Sequence, residues 1–200
     1  MSPRQKSLES TPKRDLLLDT ANRLFYRDGY HAVGIDTILA EAGLAKMTLY
    51  HHFKSKEDLI VAALERRAQQ IMAERAAAVE AAGASPRRRL LAVFDSYAQW
   101  FNRRDFNGCA FIRAVGEYPD LRSAVHAVVA RQKEAGRQFL AGLIEEMGVS
   151  PAPELAAQIQ LLLEGAIVTA HTHGDPGVIE SARKAALALL KQAEAAPARG

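Results

Sequence analysis

From Gly34 to Leu59 the chain reads GIDTILAEAGLAKMTLYHHFKSKEDL. Ile35, Ile38, Leu39 and Ala42 stand at i, i+3, i+4 and i+7, a single apolar stripe along a short helix. Gly43 follows where a helix ends in a left-handed residue, a conformation with which a side chain clashes. A second short helix is expected to begin near Ala45, with Leu49 and Phe53 one turn apart and facing inward. Two short helices joined by a tight glycine turn form a helix-turn-helix unit, whose second helix enters the DNA major groove. The same periodicity also suits an amphipathic hairpin in any all-α protein, and periodicity leaves both readings open.

Side-chain chemistry favours the groove. No acidic residue occurs from Leu44 to Lys56. Lys46, Thr48, Tyr50, His51 and His52 fall away from the Leu49/Phe53 side, and Lys54 and Lys56 follow. A surface pressed against phosphates needs this composition, because each Lys near a phosphate releases a condensed counterion. His51 and His52 read as phosphate or base contacts rather than metal ligands.

The run from Gly43 to Leu59, with its Thr48-Leu49-Tyr50-x-x-Phe53-x-x-Lys56 core, resembles the signature of the TetR/AcrR family of bacterial transcription regulators. The likeness extends back to Leu16, and beyond Leu59 only length and helical layout agree. It implies a repressor, not an enzyme, that binds a palindromic duplex operator as a homodimer and is released by a small-molecule effector. Carried over position by position, Lys46, Met47 and Thr48 meet base edges, Lys46 reading guanine acceptors and Met47 touching a thymine methyl. Tyr50, His51, His52 and Lys56 hold phosphates. Gly34, a DNA-facing position where the family usually has Ser or Thr, caps the second helix without a hydroxyl to offer a phosphate. Met47 is bulkier than the residue common there.

The rest of the chain agrees with this plan. Of the 200 residues, 48% are hydrophobic, enough to bury a core. No apolar run approaches the roughly 18 residues of a membrane span. The polar start, Met1 to Lys13, lacks the apolar centre of a secretion signal, and one cysteine excludes an intrachain disulfide, so a soluble cytoplasmic protein is expected. Residues 1–56 carry nine Lys/Arg against six Asp/Glu, whereas residues 57–200 hold seventeen of each. The basic excess therefore lies in the segment with the proposed groove helix.

Caps and breakers divide the chain into about nine helices and no strand, an all-α fold. The expectation is a three-helix DNA-binding head, residues 1–56, and a larger ligand-binding and dimerisation body, residues 57–200. Met1 to Ser10 is a basic solvated arm. Thr11-Pro12 starts a first helix with Leu17, Ala21, Leu24 and Phe25 inward. Ser55 caps a long fourth helix reaching Gly83, and Ser85-Pro86 opens a fifth. Cys109 to Tyr118 makes a sixth, Pro119-Asp120 starts a seventh ending at Gly148, and the eighth and ninth run over 154–172 and 176–190. Both are apolar on more than one side, so a partner is expected to cover them. The resemblance makes that partner a second copy, through a two-fold contact of residues 154–190.

A releasable regulator needs a second site coupled to the first. The family places it among the helices behind the head, where Phe94, Tyr97, Trp100, Phe101, Cys109, Arg113, Glu117 and His171 are the candidate lining residues. Aromatic walls with a few polar groups suit a small, mostly apolar molecule. Arg113 would favour an anion, or else pair with Glu117 one turn away. An alternative is redox or electrophile sensing through Cys109, with Arg103, Arg104 and Arg113 nearby in sequence to promote the thiolate. His171 and His173, at i and i+2, point apart on a helix and make no metal pair; no cofactor is expected.

Overall fold

The computed structural model describes residues 12–195; the expected arm and the final residues 196–200 lie outside them. Among the described residues there are nine helices and no strand: α1 Pro12–Asp28, α2 Ile35–Ala42, α3 Lys46–His52, α4 Lys56–Ala81, α5 Pro86–Phe101, α6 Ala110–Glu117, α7 Ala124–Glu146, α8 Ala152–His173 and α9 Val178–Ala195. No helix among them is long and apolar enough to cross a membrane.

Two apolar clusters organise the chain. The first gathers Leu17, Leu24, Phe25, Ile38, Leu49, Phe53, Leu59 and Ile60 from α1 to α4, and also Phe111 and Val125 from α6 and α7. Phe111 is 1% exposed, so its ring, worth about 1.5–3 kcal/mol of burial, ties the front of the molecule to the helices behind it. The second cluster is the centre of α5, α7, α8 and α9, with Phe94, Tyr97, Leu140, Ile144, Ile159, Leu163 and Leu190. Arg66 of α4 clamps α1, donating from Nη1 to Asp15 Oδ1 at 2.7 Å and from Nε to Asp19 Oδ1 at 2.9 Å.

Local chemistry sets the ends. Ser55 Oγ accepts from the Asp58 amide at 3.0 Å, while Asp58 Oδ2 accepts from the Lys54 amide at 3.1 Å, a capping box displaced by one residue. The seventh helix does not start at Pro119-Asp120. Asp120 Oδ1 accepts from the Arg122 amide at 2.9 Å, a local turn that competes with helix. Ser123 is the cap instead, its Oγ accepting from the His126 amide at 3.2 Å. The eighth helix starts at Ala152 rather than 154, because Pro153 fits the first turn.

Candidate nucleic-acid interface and effector cavity

α2 begins at Gly34, whose extended backbone (φ −80°, ψ 158°) caps without a side-chain bond, and the Ile38 amide donates to Gly34 O at 3.2 Å. It ends at Gly43, φ +63°, with the Leu44 amide reaching back to Leu39 O at 3.0 Å. That left-handed residue turns the chain at once into α3. Leu49 is fully buried and Phe53 nearly so, which fixes the roll of α3. The opposite side faces solvent, with Met47 81% and Tyr50 46% exposed, although apolar side chains of that size are usually covered. Lys46 and His51 are exposed, and Thr48 and His52 are half-buried. Lys46 Nζ lies 3.5 Å from Asp36 Oδ1, an exposed pair that a phosphate or a base edge can replace. Burial, then the charges of His51, Arg14 and Lys13, hold the His52 imidazole below its ordinary value of 6.5. Lys56 turns its ammonium back, donating to His31 O at 3.2 Å; two N–H donors remain.

Behind this surface, α4, α5, α7 and α8 enclose a cavity of about 420 Å³. Tyr97, Trp100, Phe111 and Phe139 supply aromatic wall, and Arg75, Gln132, Lys133 and Glu164 supply polar groups. Lys133 Nζ donates to both Glu164 oxygens at 2.6 and 2.7 Å and lies 3.6 Å from Cys109 Sγ. Burial works against the Lys133 charge, but Cys109 and Glu164 outweigh it and raise its pKa. Arg75 donates to the Tyr97 hydroxyl and lies over that ring, 5.0 Å from its centroid.

A short exposed helix free of acidic residues thus stands in front, and a mixed aromatic–polar cavity lies behind it. Residues 17–63 match the family model for bacterial regulatory proteins of the tetR family, and residues 86–186 match that for the tetracycline repressor-like C-terminal domain. The chain belongs to the TetR family. It is a helix-turn-helix transcriptional regulator and not an enzyme. A TetR-family transcriptional regulator from Streptomyces coelicolor is 32% identical, superimposes with a TM-score of 0.83, and covers 90% of this chain and 95% of its own. YxaF of Bacillus subtilis, an uncharacterised HTH-type transcriptional regulator, is 28% identical over 81% of this chain and 86% of its own. The activator FasR of Mycolicibacterium smegmatis is 39% identical over 34% of this chain and 32% of its own.

In this TetR-family chain the expected cavity residues part company. Tyr97, Trp100 and Cys109 line the cavity. Phe94 is 1% exposed inside the body core, and Phe101 packs against Tyr97, Trp100 and Phe106; neither lines it. Arg113, Glu117 and His171 sit at the joint between front and body instead, because backbone groups there need partners. Glu117 accepts from the Tyr30 amide at 2.9 Å and the His31 amide at 2.6 Å. Arg113 donates to Tyr26 O at 3.0 Å, so the two do not pair with each other. The His171 ring lies 3.1 Å from Asn107 Oδ1, and the Asn107 side-chain amide donates to Tyr26 O at 2.8 Å. Gly29, at φ +97°, leaves the room that Glu117 uses: a Cβ there would lie 3.0 Å from Oε1. The cation beside Cys109 is Lys133, not the arginines near it in sequence; Arg103 pairs with Asp105 at 2.8 Å.

Sequence reading missed Arg75, Gln132, Lys133 and Glu164. A signal existed in α7, whose buried side runs Val125, Val128, Val129, Gln132, Gly136, Leu140. A glutamine and a glycine stand where the stripe calls for large apolar side chains.

Proposed function

We propose that the protein is a dimeric, cytoplasmic repressor that binds a palindromic operator through Gly34, Lys46, Met47, Thr48, Tyr50, His51, His52 and Lys56, and that an effector in the 420 Å³ cavity releases it. Residues 1–56 act as the DNA-binding unit and residues 57–200 as the effector and dimerisation unit. The observation that carries this reading is α6, which runs from the cavity to the front. Cys109 and Phe111 at its start belong to the cavity wall. Glu117 at its end grips the Tyr30 and His31 amides, and Lys56, the first residue of α4, donates to His31 O. An effector that pushes on the wall therefore displaces the loop that joins α1 to the α2–α3 pair and meets the start of α4. The closed grip and the exposed α3 suit DNA binding, so a ligand that loosens the grip ends it.

Dimerisation through α8 and α9 is supported by an apolar stripe that the single chain leaves open. Leu161, Gly165 and Val168 follow at i, i+4 and i+7, with Leu161 73% and Val168 50% exposed. A gel shift with DNA from the chain's own promoter region, with and without a panel of small metabolites, tests the proposal. A compound that stabilises the protein thermally and frees the DNA supports it; binding without sequence preference overturns it. Lys133 at Cys109 favours a second reading, release by thiol oxidation or electrophile addition. Oxidant-driven release that is unchanged in Cys109→Ser discards that reading.

A further inference from the structure

Building on the effector reading of this cavity, we propose that it is shaped for a planar aromatic carboxylate that also carries a hydroxyl group. The first ground is charge. Lys133 is matched by Glu164 and Arg103 by Asp105, while Arg67, Glu74 and Arg75 on the α4 wall together leave one positive charge. Of these, Arg75 is the one held at the aromatic wall: it meets the neutral Tyr97 hydroxyl and ring, with no carboxylate in ion-pair reach among the described residues. A guanidinium held over an aromatic face, its remaining N–H groups unspent, is a fork for a carboxylate.

The second ground is an unmet acceptor. Gln132 lines the cavity at 8% exposure, and its Oε1 is buried without a hydrogen-bond partner. Gln160 Oε1 on the same wall is likewise unmet, while its Nε2 donates to Lys133 O at 3.2 Å. Two amide oxygens shut away from water without a donor are costly, and a ligand hydroxyl removes that cost.

The third ground is placement. Gly136 follows Gln132 by one turn on the same side of α7, and a Cβ there would lie 3.4 Å from Arg75 Nη1, so the guanidinium rests against nearly bare backbone. The backbone position beside the fork and the one that carries the acceptor are thus one helical turn apart on α7, roughly 5–6 Å between their Cβ positions. A carboxylate and a hydroxyl at opposite ends of one ring or two fused rings span such a gap. Trp100 and Phe139 line the same cavity, and 420 Å³ is near the small end of ligand pockets, about 300–1,000 Å³.

Isothermal titration of the full chain with a hydroxynaphthoate, its methyl ester and the naphthoate lacking the hydroxyl tests the assignment. The acid is expected to bind at least about ten-fold tighter than the ester, the worth of a charge-assisted hydrogen bond. Arg75→Gln brings the acid down to the ester's affinity, Arg75→Lys keeps part of the preference, and Gln132→Leu erases the gain from the hydroxyl. Equal binding of acid and ester, no binding of any of the three, or a preference that survives Arg75→Gln overturns the proposal. A neutral compound that fills the cavity and frees operator DNA also overturns it, yet leaves the regulator reading standing. Failure of the unliganded chain to bind its operator removes the repressor reading without altering the titration comparison.

Discussion

Lys46 and His52 carry most of the chemistry proposed at the groove, and each makes a different demand on solution conditions. The Lys46–Asp36 pair is exposed on both sides, so it contributes little and yields readily to DNA. Lys46→Ala is expected to cost about 1–3 kcal/mol of operator binding and to blur the preference at one base step; competition between single-base operator variants measures both. His52 sits below its ordinary value because of burial and its cationic neighbours, so the free protein holds it neutral near pH 7. A phosphate favours the charged ring, so the complex takes up a proton that the free protein lacks. Operator affinity should therefore rise as pH falls from about 7.5 to about 6, and His52→Gln should flatten that rise; fluorescence anisotropy across the range checks it. The exposed face of α3 was readable from Lys46 to His52 because Leu49 and Phe53 fix the roll of so short a helix. The partner of Lys56 was not readable, since His31 lies twenty-five residues away.

At the level of elements, α6 is the part whose role the sequence hid. Its apolar stripe and its length were legible, and so were the stops at Gly43, Gly83 and Gly148, where the breaker acts on its own neighbours. The grip of Glu117 on Tyr30 and His31 crosses more than eighty residues, and spacing within one helix cannot reveal it. Read locally, Arg113 and Glu117 look like an ion pair one turn apart; backbone groups on α1 and the loop after it claim both. The Pro119-Asp120 start misled for a similar reason, because an Asx turn and a helix cap use the same residue types. Glu117→Gln keeps the shape but loses the charge and one of the two acceptor oxygens. It should lower stability by about 1 kcal/mol, seen as a modest fall in melting temperature. It should also shrink the effector's effect on operator affinity from the usual range of about 5–150-fold towards none; paired operator titrations with and without a releasing compound measure that ratio.

On the scale of the whole molecule, reading a palindrome requires two copies, because one α3 covers one half-site. The open stripe of Leu161, Gly165 and Val168 is where the second copy is proposed to sit. Leu161→Glu should put a charge into that contact, shift the protein to monomer in sedimentation, and reduce operator affinity by at least about ten-fold while the helical content stays unchanged. That α8 and α9 are apolar beyond one stripe was plain from the sequence. The surfaces their apolar residues face within one chain were not, since α7 and α9 divide the sides of α8 between them only after folding. The most direct test of the central claim, that α3 of a paired molecule reads a duplex, is equilibrium binding to labelled promoter DNA and a scrambled duplex over a range of salt. The expected result is a preference of at least about a thousand-fold for the promoter site, affinity for both duplexes falling steeply with salt, and loss of most of the preference in Lys46→Ala. Equal affinity for the two duplexes at every salt concentration, or a Lys46→Ala protein indistinguishable from the parent, would contradict it.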